Sequence, residues 1–356
     1  MLSCARHSMS MAVIGTLALL PAAAQAGQIW FGGMDTVTAA DRERVGGEEP
    51  KGTYARLDFM DLFRPNAPWT RAASMIQVFQ SSTQFLHRST DDQLSAVIND
   101  LRRRHIALGM EGEIMSRESQ AQCGAGIPGN TGINVWRTIV NRVARLGGKI
   151  EYVAFDGPVA FGHYNALKKD TACNYTIEEL VRNIAPQIEI IKTAFPDVKF
   201  GDVEPVSGIS IGKMDDNLQF AKEFFRQTGV RLSFMHADII YQEKTMHSQL
   251  MEWRRRLHEA GMEYGVIVNG NPPDIDKNDL QWTGHAIERY GLVTNDPAIK
   301  PDHYIFQSWG RNPARYLPET QPGTFTSVVV QTVGRGQNNP LTSPEMRTSG
   351  PSPSRR

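Results

Sequence analysis

The chain has 356 residues and a balanced charge, with 38 lysines and arginines against 38 aspartates and glutamates. This balance, without a long basic run, disfavours binding to nucleic acid and adsorption to anionic lipid. A small neutral or weakly charged ligand fits better. The length suits one α/β barrel of about 250 residues with insertions and leaves little room for a second full domain.

The N-terminus is typical of a secretory leader. Arg6 and His7 precede an apolar run over residues 11–20, and residues 24–26 (A-Q-A) match a cleavage site. The run is about half as long as the ~20 residues that a membrane-spanning helix needs, which favours cleavage over anchoring. We therefore predict that residues 1–26 are a signal peptide and that the mature protein is secreted or periplasmic.

The cysteines agree with export. Cleavage would remove Cys4 and leave Cys123 and Cys173, an even pair in an oxidising compartment, where a disulfide is favoured. Both residues follow predicted strands, the third and the fourth, and so belong at the same end of a barrel. The alternative is two unrelated thiols.

Short apolar runs alternate with helix-like segments over residues 27–330. The predicted strands are residues 28–35, 75–79, 105–110, 150–155, 198–205, 231–238, 264–268 and 303–307. The predicted helices are residues 91–104, 134–146, 176–194, 215–228, 246–260 and 279–290. This alternation predicts an α/β fold, here a single (β/α)8 TIM barrel.

The composition changes near residue 330. Residues 331–356 are poor in apolar side chains and rich in Gly, Pro and Ser, a composition that disfavours a packed core. We predict that a barrel domain over residues 27–330 is followed by a disordered tail.

Acidic residues stand at the ends of three consecutive predicted strands. Asp156 follows strand four, Glu204 ends strand five and Asp238 ends strand six. The C-terminal ends of TIM-barrel strands meet at one mouth, where active sites are built. Carboxyl groups in such a cluster separate each other's pKa values, so that one holds a proton while another stays ionised, as glycoside hydrolysis requires. The alternative is that these acids cap helices or pair with rim arginines.

Aromatic residues near the strand ends are a second signal for a sugar-binding mouth. Trp309 comes shortly after Gln307 of strand eight, and Tyr241 follows strand six. The apolar faces of sugar rings stack on such side chains. The alternative for Trp309 is packing against the segment that follows it.

Four segments carry a resemblance, namely F-D-G-P, G-D-V-E-P, M-H-A-D and Q-S-W-G-R-N-P-A-R-Y-L-P-E-T, in this order along the chain. In them the sequence resembles bacterial secreted glycoside-hydrolase-like TIM barrels, without a place in a numbered family. The resemblance implies that Trp309 forms the floor of the subsite beside the scissile bond. It also implies a non-proline cis peptide before the ring.

The sequence departs from several glycosidase patterns. One large glycosidase clan has an Asn-Glu pair at the end of strand four and a Glu at the end of strand seven, and this sequence has neither. The chitinase-like D-x-x-D-x-D-x-E run is also absent. An arrangement similar to α-galactosidases would make Asp156 the nucleophile and Asp238 the acid/base. The pair Asp156 and Glu204 is slightly favoured over Asp156 and Asp238.

The first hypothesis is a secreted glycoside hydrolase that uses neither metal nor cofactor and cleaves a polysaccharide or oligosaccharide. Glu204 is the expected proton donor and Asp156 the nucleophile or base, with Asp238 as the third candidate for catalysis. The residues expected to hold the carbohydrate are Asp35, Glu111, His236, Tyr241, Asn269, Gln307 and Trp309.

Two alternatives remain open. A metal-dependent isomerase or lyase would bind a divalent cation through Glu111, Glu204, His236 and Asp238, which are chemically suitable ligands. A non-catalytic carbohydrate-binding barrel would have kept the aromatic floor after losing catalysis, and its only hint is Gly157 beside Asp156.

Overall fold

The computed structural model describes residues 27–32, 58–116, 123–124, 129–164, 170–206, 214–272 and 275–337. Eight parallel strands form a closed barrel in the order β1-β8-β7-β6-β5-β4-β3-β2. The strands are β1 Gln28–Gly32, β2 Val78–Ser82, β3 Ala107–Gly112, β4 Tyr152–Asp156, β5 Lys199–Pro205, β6 Leu232–Asp238, β7 Glu263–Val268 and β8 His303–Phe306. The predicted TIM-barrel fold is confirmed.

Helices surround the barrel. They are α1 Thr70–Ala73, α2 Thr83–Arg88, α3 Asp91–Arg104, α4 Ile133–Arg145, α5 Ile177–Ala194, α6 Met214–Thr228, α7 Met246–Glu259, α8 Asp279–Asn295 and α9 Phe325–Gln337. A 3-10 helix spans Phe59–Phe63, a π-helical turn spans Pro158–His163, and a short ladder pairs Met115–Ser116 with Asn130–Thr131. The long helices α3 and α5 each begin at a capping box, formed by Thr90 with Gln93 and by Thr176 with Glu179.

Several predicted boundaries need correction. Strand three was expected to begin at His105, but His105 is the C-cap of α3, with a left-handed φ of 58°, so β3 begins only at Ala107. Strand two likewise starts three residues later than expected, at Val78. Helix α9 continues to Gln337, so the predicted start of the tail at residue 331 falls inside a helix.

Other sequence predictions lie outside the described residues. These are the leader over residues 1–26, Asp35, and residues 338–356 of the expected tail. In the described part of the chain, no helix is both long and apolar enough to cross a bilayer.

Two apolar layers show which way each strand residue points. The inner layer fills the barrel and consists of Trp30, Val78, Ala154, Val203, Phe234, Ile267 and Ile305. The outer layer lies between strands and helices and includes Phe155 and Phe200. Because side chains alternate along a strand, residues two positions from an inner-layer residue also point inward.

The predicted disulfide is present. Cys123 and Cys173 are bonded across 50 positions of sequence, with 4.9 Å between their Cα atoms. Cys123 follows β3 and Cys173 follows β4, as expected. The bond ties together two segments at the C-terminal end of the barrel, beside the strands that carry Glu111 and Asp156.

Candidate active site

Three carboxyl groups line the C-terminal mouth of the barrel. Asp156 is two residues beyond Ala154 of the inner layer, and Asp238 is four beyond Phe234, so both point inward. Glu111 shares the inward direction, because its register partner on β4 is Ala154. All three side chains are half-buried, which is the exposure expected of groups that a substrate can reach.

Glu111 is held by two glutamines, which come from the two strands that flank β1 in the barrel. Gln80 of β2 donates from Nε2 to Glu111 Oε2 at 2.6 Å, and Gln307, which follows β8, donates from Nε2 to the same oxygen at 2.7 Å. Two donors on one oxygen fix the rotamer of the carboxyl group. Gln80 was not among the residues predicted from the sequence.

The mouth carboxyls have raised and separated pKa values. Desolvation by burial is the main cause for each, and it raises the pKa of Asp156 to about 6 and that of Asp238 to about 7. The pKa of Glu111 rises to about 8, because burial and the nearby Asp156 outweigh the two glutamine donors. Asp156 is also the charge that raises the pKa of Asp238. Near neutral pH, Asp156 is therefore the most ionised of the three.

Glu204 lies outside the mouth, so the expectation that it faces the mouth is wrong. Val203 belongs to the inner layer, and Glu204, the next residue, points to the opposite face, toward the helices. It is 1% exposed, and its two oxygens accept hydrogen bonds from Val159 N at 2.7 Å and Ala160 N at 3.1 Å. These amides begin the turn Pro158–His163, so Glu204 caps that turn. Burial still raises the pKa of Glu204 to about 8, against the pull of these two donors.

Asp202 is a second acid behind the barrel wall. It points outward like Glu204, beside Phe155 of β4 and Met235 of β6, and it is fully buried. No hydrogen bond of normal geometry reaches either carboxyl oxygen. Burial, and then the neighbouring Glu204, raise the pKa of Asp202 well above its usual value.

We expect Asp202→Val to stabilise the protein by about 1 to 3 kcal/mol at pH 8, because it removes an unpaired polar group from an apolar layer. Folded Asp202 holds a proton that the unfolded chain releases above pH ~4. The stability that this bound proton gives is therefore fully present below that pH and is lost as pH rises through the raised pKa of the folded form. Denaturant unfolding between pH 4 and pH 8 checks this. Equal stability of both proteins, with equal pH slopes, would contradict it.

His236 is not a mouth residue, as the sequence had suggested, but part of the barrel interior. It is fully buried, stacks on Phe234 at 4.6 Å and meets the edge of Trp30 at 4.8 Å. Its Nε2 lies 3.1 Å from His303 Nδ1. Burial, and then His303, keep its pKa well below the usual value, so His236 is a neutral packing residue below the mouth.

This placement disperses the metal-ligand set that the sequence suggested. His236 lies below the mouth and Glu204 lies behind the wall, while Glu111 and Asp238 line the mouth. In the residues that the structure describes, no three His, Cys, Asp or Glu side chains are grouped so that they could share a metal ion.

Trp309 lies at the rim. Its side chain is 39% exposed and lines a pocket of about 250 Å³. The other lining residues are uncharged: Asn269, Gly270, Asn271, Pro272, Trp282, Ser308, Gly310 and Asn312. The expected cis peptide before Trp309 is absent, because the cis bonds of the described residues precede Pro313 and Pro318.

Arg289 of α8 fixes the loop that supplies this pocket. Its buried guanidinium donates through Nη1 to Asn269 O at 2.7 Å, Asn269 Oδ1 at 2.9 Å and Gly270 O at 2.7 Å, and through Nη2 to Asn271. It also packs on the ring of Tyr241 at 4.4 Å. Asn269 is thus placed at the mouth with its backbone and side-chain carbonyl oxygens both accepting hydrogen bonds from Arg289.

Tyr241 has a structural role for its hydroxyl. The group donates to Ile267 O at 2.9 Å, and burial raises its pKa. Only the partly buried ring remains for substrate contact. Neither Gln80 nor Arg289 could be found from the sequence, because a glutamine inside a strand and an arginine inside a helix carry no local signal.

No protein-family model matches the sequence, and no curated protein matches it. Among solved structures, the chain is similar to fungal β-1,4-galactanases, with 10% identity and a TM-score of 0.49 over 84% of this chain and 98% of that chain. It is also similar to a GH10 protein from Paenibacillus barcinonensis, with 11% identity and a TM-score of 0.49 over 80% of this chain and 84% of that chain. A third similar structure is a psychrophilic glycoside hydrolase family 10 endo-β-1,4-xylanase, with 10% identity and a TM-score of 0.48 over 85% of this chain and 96% of that chain.

Proposed function

We propose that this protein is an exported glycoside hydrolase that cleaves a polysaccharide or oligosaccharide at the mouth of the barrel. The observation that carries the proposal is the pair Asp156 and Asp238. They are two inward-pointing, half-buried carboxyls on β4 and β6 with pKa values of about 6 and about 7. Glycosidic bond cleavage needs one carboxylate and one carboxylic acid that flank the bond.

Asp156 is the base or nucleophile in this proposal, and Asp238 is the proton donor. Ionised Asp156 either attacks the anomeric carbon or removes a proton from the attacking water. Asp238 transfers its proton to the glycosidic oxygen as the bond to the leaving group breaks. In the retaining case, water then displaces Asp156 from the anomeric carbon and gives its proton to Asp238. In the inverting case, Asp156 releases to solvent the proton that it took from water, and Asp238 takes up a proton from solvent.

The spacing of the two strands suits this division of labour. β5 lies between β4 and β6, and strands in a sheet are ~4.8 Å apart. The backbones that carry the two acids are therefore separated by about 10 Å along the wall, and both side chains point toward the axis. Carboxyl separations of about 5 to 9.5 Å cover both the retaining and the inverting mechanism. The anomer that forms first, observed by NMR, identifies the mechanism.

The rim supports an uncharged carbohydrate as substrate. Trp309 offers an exposed ring, and the pocket beside it is lined by uncharged residues. Arg289, the cation beneath that loop, is engaged by backbone and amide oxygens. It is therefore not positioned to pair with a sugar carboxylate.

Export is supported by two features. The leader pattern over residues 1–26 predicts secretion, and the Cys123–Cys173 disulfide suits an oxidising compartment.

The test is a screen of the purified protein on neutral, uronic-acid and amino-sugar polysaccharides, with reducing ends as the readout. We expect hydrolysis of a neutral glycan with a pH optimum between about 6 and 7. Activity should fall at lower pH as Asp156 gains a proton and at higher pH as Asp238 loses its proton. Failure to release reducing ends from any of these glycans between pH 5 and pH 8 would contradict the proposal.

A further inference from the structure

The two carboxyl oxygens of Glu111 have different surroundings. Oε2 accepts hydrogen bonds from the side-chain amides of Gln80 at 2.6 Å and Gln307 at 2.7 Å. Oε1 has no hydrogen-bond partner among the described residues, yet it is not one of their buried unpaired atoms. The side chain points into the barrel mouth and is half-buried. Oε1 is therefore the oxygen of Glu111 that a ligand in the mouth can reach.

No cation balances the acids of the mouth in the part of the chain that the structure describes. There, no Lys, Arg or His forms an ion pair with Glu111, Asp156 or Asp238. Ionisation of all three would place three like charges in one partly buried cavity, so the cluster keeps protons near neutral pH. Asp156 also accepts a backbone hydrogen bond from Gly129, which lowers its pKa, and it ionises first. Burial and the charge of Asp156 then raise the pKa of Glu111 to about 8.

The two glutamines determine which oxygen of Glu111 carries the proton. Gln80 and Gln307 each direct an N–H group at Oε2, and a proton on the same oxygen would oppose these donors. The proton is therefore on Oε1, the oxygen that is open to the mouth. Because two hydrogen bonds hold the carboxyl group, Glu111 presents this O–H group from a fixed position.

We propose that Glu111 binds the substrate as a neutral acid, whose Oε1 donates a hydrogen bond to an oxygen of the sugar residue beside Asp156. This rests on the proposed function and adds a substrate-binding donor to the same site. Gln80 and Gln307 hold Glu111 in place and do not contact the sugar. Because an ionised carboxylate only accepts hydrogen bonds, Glu111 loses this contact when it loses its proton at alkaline pH.

The test compares binding at pH 5 and pH 9, so that it does not depend on catalysis. Neutral tetrasaccharides of xylose, galactose, mannose and glucose are titrated by calorimetry into the Asp156→Asn protein, with and without Glu111→Gln. The substituted amide keeps one oxygen for Gln80 and Gln307 and presents a donor that does not titrate. At pH 5 we expect both proteins to bind the preferred tetrasaccharide within about threefold of each other. At pH 9 the protein that keeps Glu111 should bind at least about tenfold more weakly, because about nine-tenths or more of Glu111 is then ionised.

Two controls isolate the contact. Asp238 titrates in the same range, but it is present in both proteins, so the ratio of their affinities at each pH reports on Glu111 alone. Glu189→Gln on the exposed face of α5 is the matched substitution and should leave both affinities unchanged. Deoxy analogues of the bound tetrasaccharide identify the sugar oxygen. When that oxygen is missing, the difference between the two proteins at pH 9 should fall to about twofold or less, as expected for coupled partners.

An equal change of affinity from pH 5 to pH 9 in both proteins would overturn the inference. Weaker binding by the Glu111→Gln protein at pH 9 would also overturn it, since that result is expected of a carboxylate that accepts hydrogen bonds from the sugar. The same holds if the difference persists with every deoxy analogue, or if no neutral tetrasaccharide binds. The expected pH dependence without hydrolysis by the wild-type protein would sink only the proposed function, whereas hydrolysis without that pH dependence would sink only this inference.

Discussion

Asp156→Asn is expected to lower kcat at least about 1000-fold, because the amide cannot act as a base or as a nucleophile. The substitution keeps the size of the side chain and removes the charge that raises the pKa of Asp238. Binding of the preferred glycan should persist within about threefold. Steady-state kinetics on the glycan that the wild-type protein cleaves measures the first effect, and calorimetry measures the second.

Asp197→Asn is the matched control. Asp197 is exposed and precedes β5 at the other end of the barrel, so its variant should keep wild-type kinetics. Asp238→Asn should impair natural glycosides more than aryl glycosides, whose leaving groups need less protonation. Retention of more than a tenth of the activity by folded Asp156→Asn would exclude Asp156 as the catalytic carboxylate.

Glu204→Leu is expected to lower the free energy of unfolding by about 4 kcal/mol while leaving the chemistry of the folded protein intact. The change leaves the amides of Val159 and Ala160 buried without an acceptor. Glu204→Gln keeps one acceptor and should cost less. Denaturant titration gives the stability, and kcat per folded molecule should stay within about twofold of wild type.

Glu189→Leu provides a comparison on the exposed face of α5, where the effect should stay within about 0.5 kcal/mol. The assignment of Glu204 as a capping residue would be wrong if Glu204→Leu were no less stable than Glu189→Leu. It would also be wrong if Glu204→Gln were inactive while fully folded.

The sequence was sufficient for the fold, because the alternation of apolar runs and capped amphipathic helices is a local property. It also placed Asp156 and Asp238 at strand ends on the mouth. It could not determine which face of β5 points inward, because V-K-F-G-D-V-E-P has apolar residues on both faces. The available signal was Gly201, where an added Cβ would lie 2.1 Å from the ring of Phe234. A glycine that makes room for a bulky neighbour marks the crowded inner face.

The position of His236 shows a second limit of the sequence. It shares the direction of Asp238 and was therefore expected at the mouth, but it lies one layer deeper in the barrel. Gly265 on β7 makes room for it, since a Cβ there would lie 2.4 Å from His236 Cδ2. Depth within a barrel depends on the stagger of neighbouring strands, which is a long-range property that one strand's sequence does not contain.

The aromatic packing inside the barrel limits the directions from which a ligand can reach the mouth. Trp30, Phe234 and His236 pack against one another beneath the carboxyls, so these described residues fill the barrel below the mouth. Under the proposed function, a glycan would enter across the rim, and both products would leave over the same rim. Access from one side would suit a polysaccharide that lies across the opening and is cleaved where it approaches Asp156.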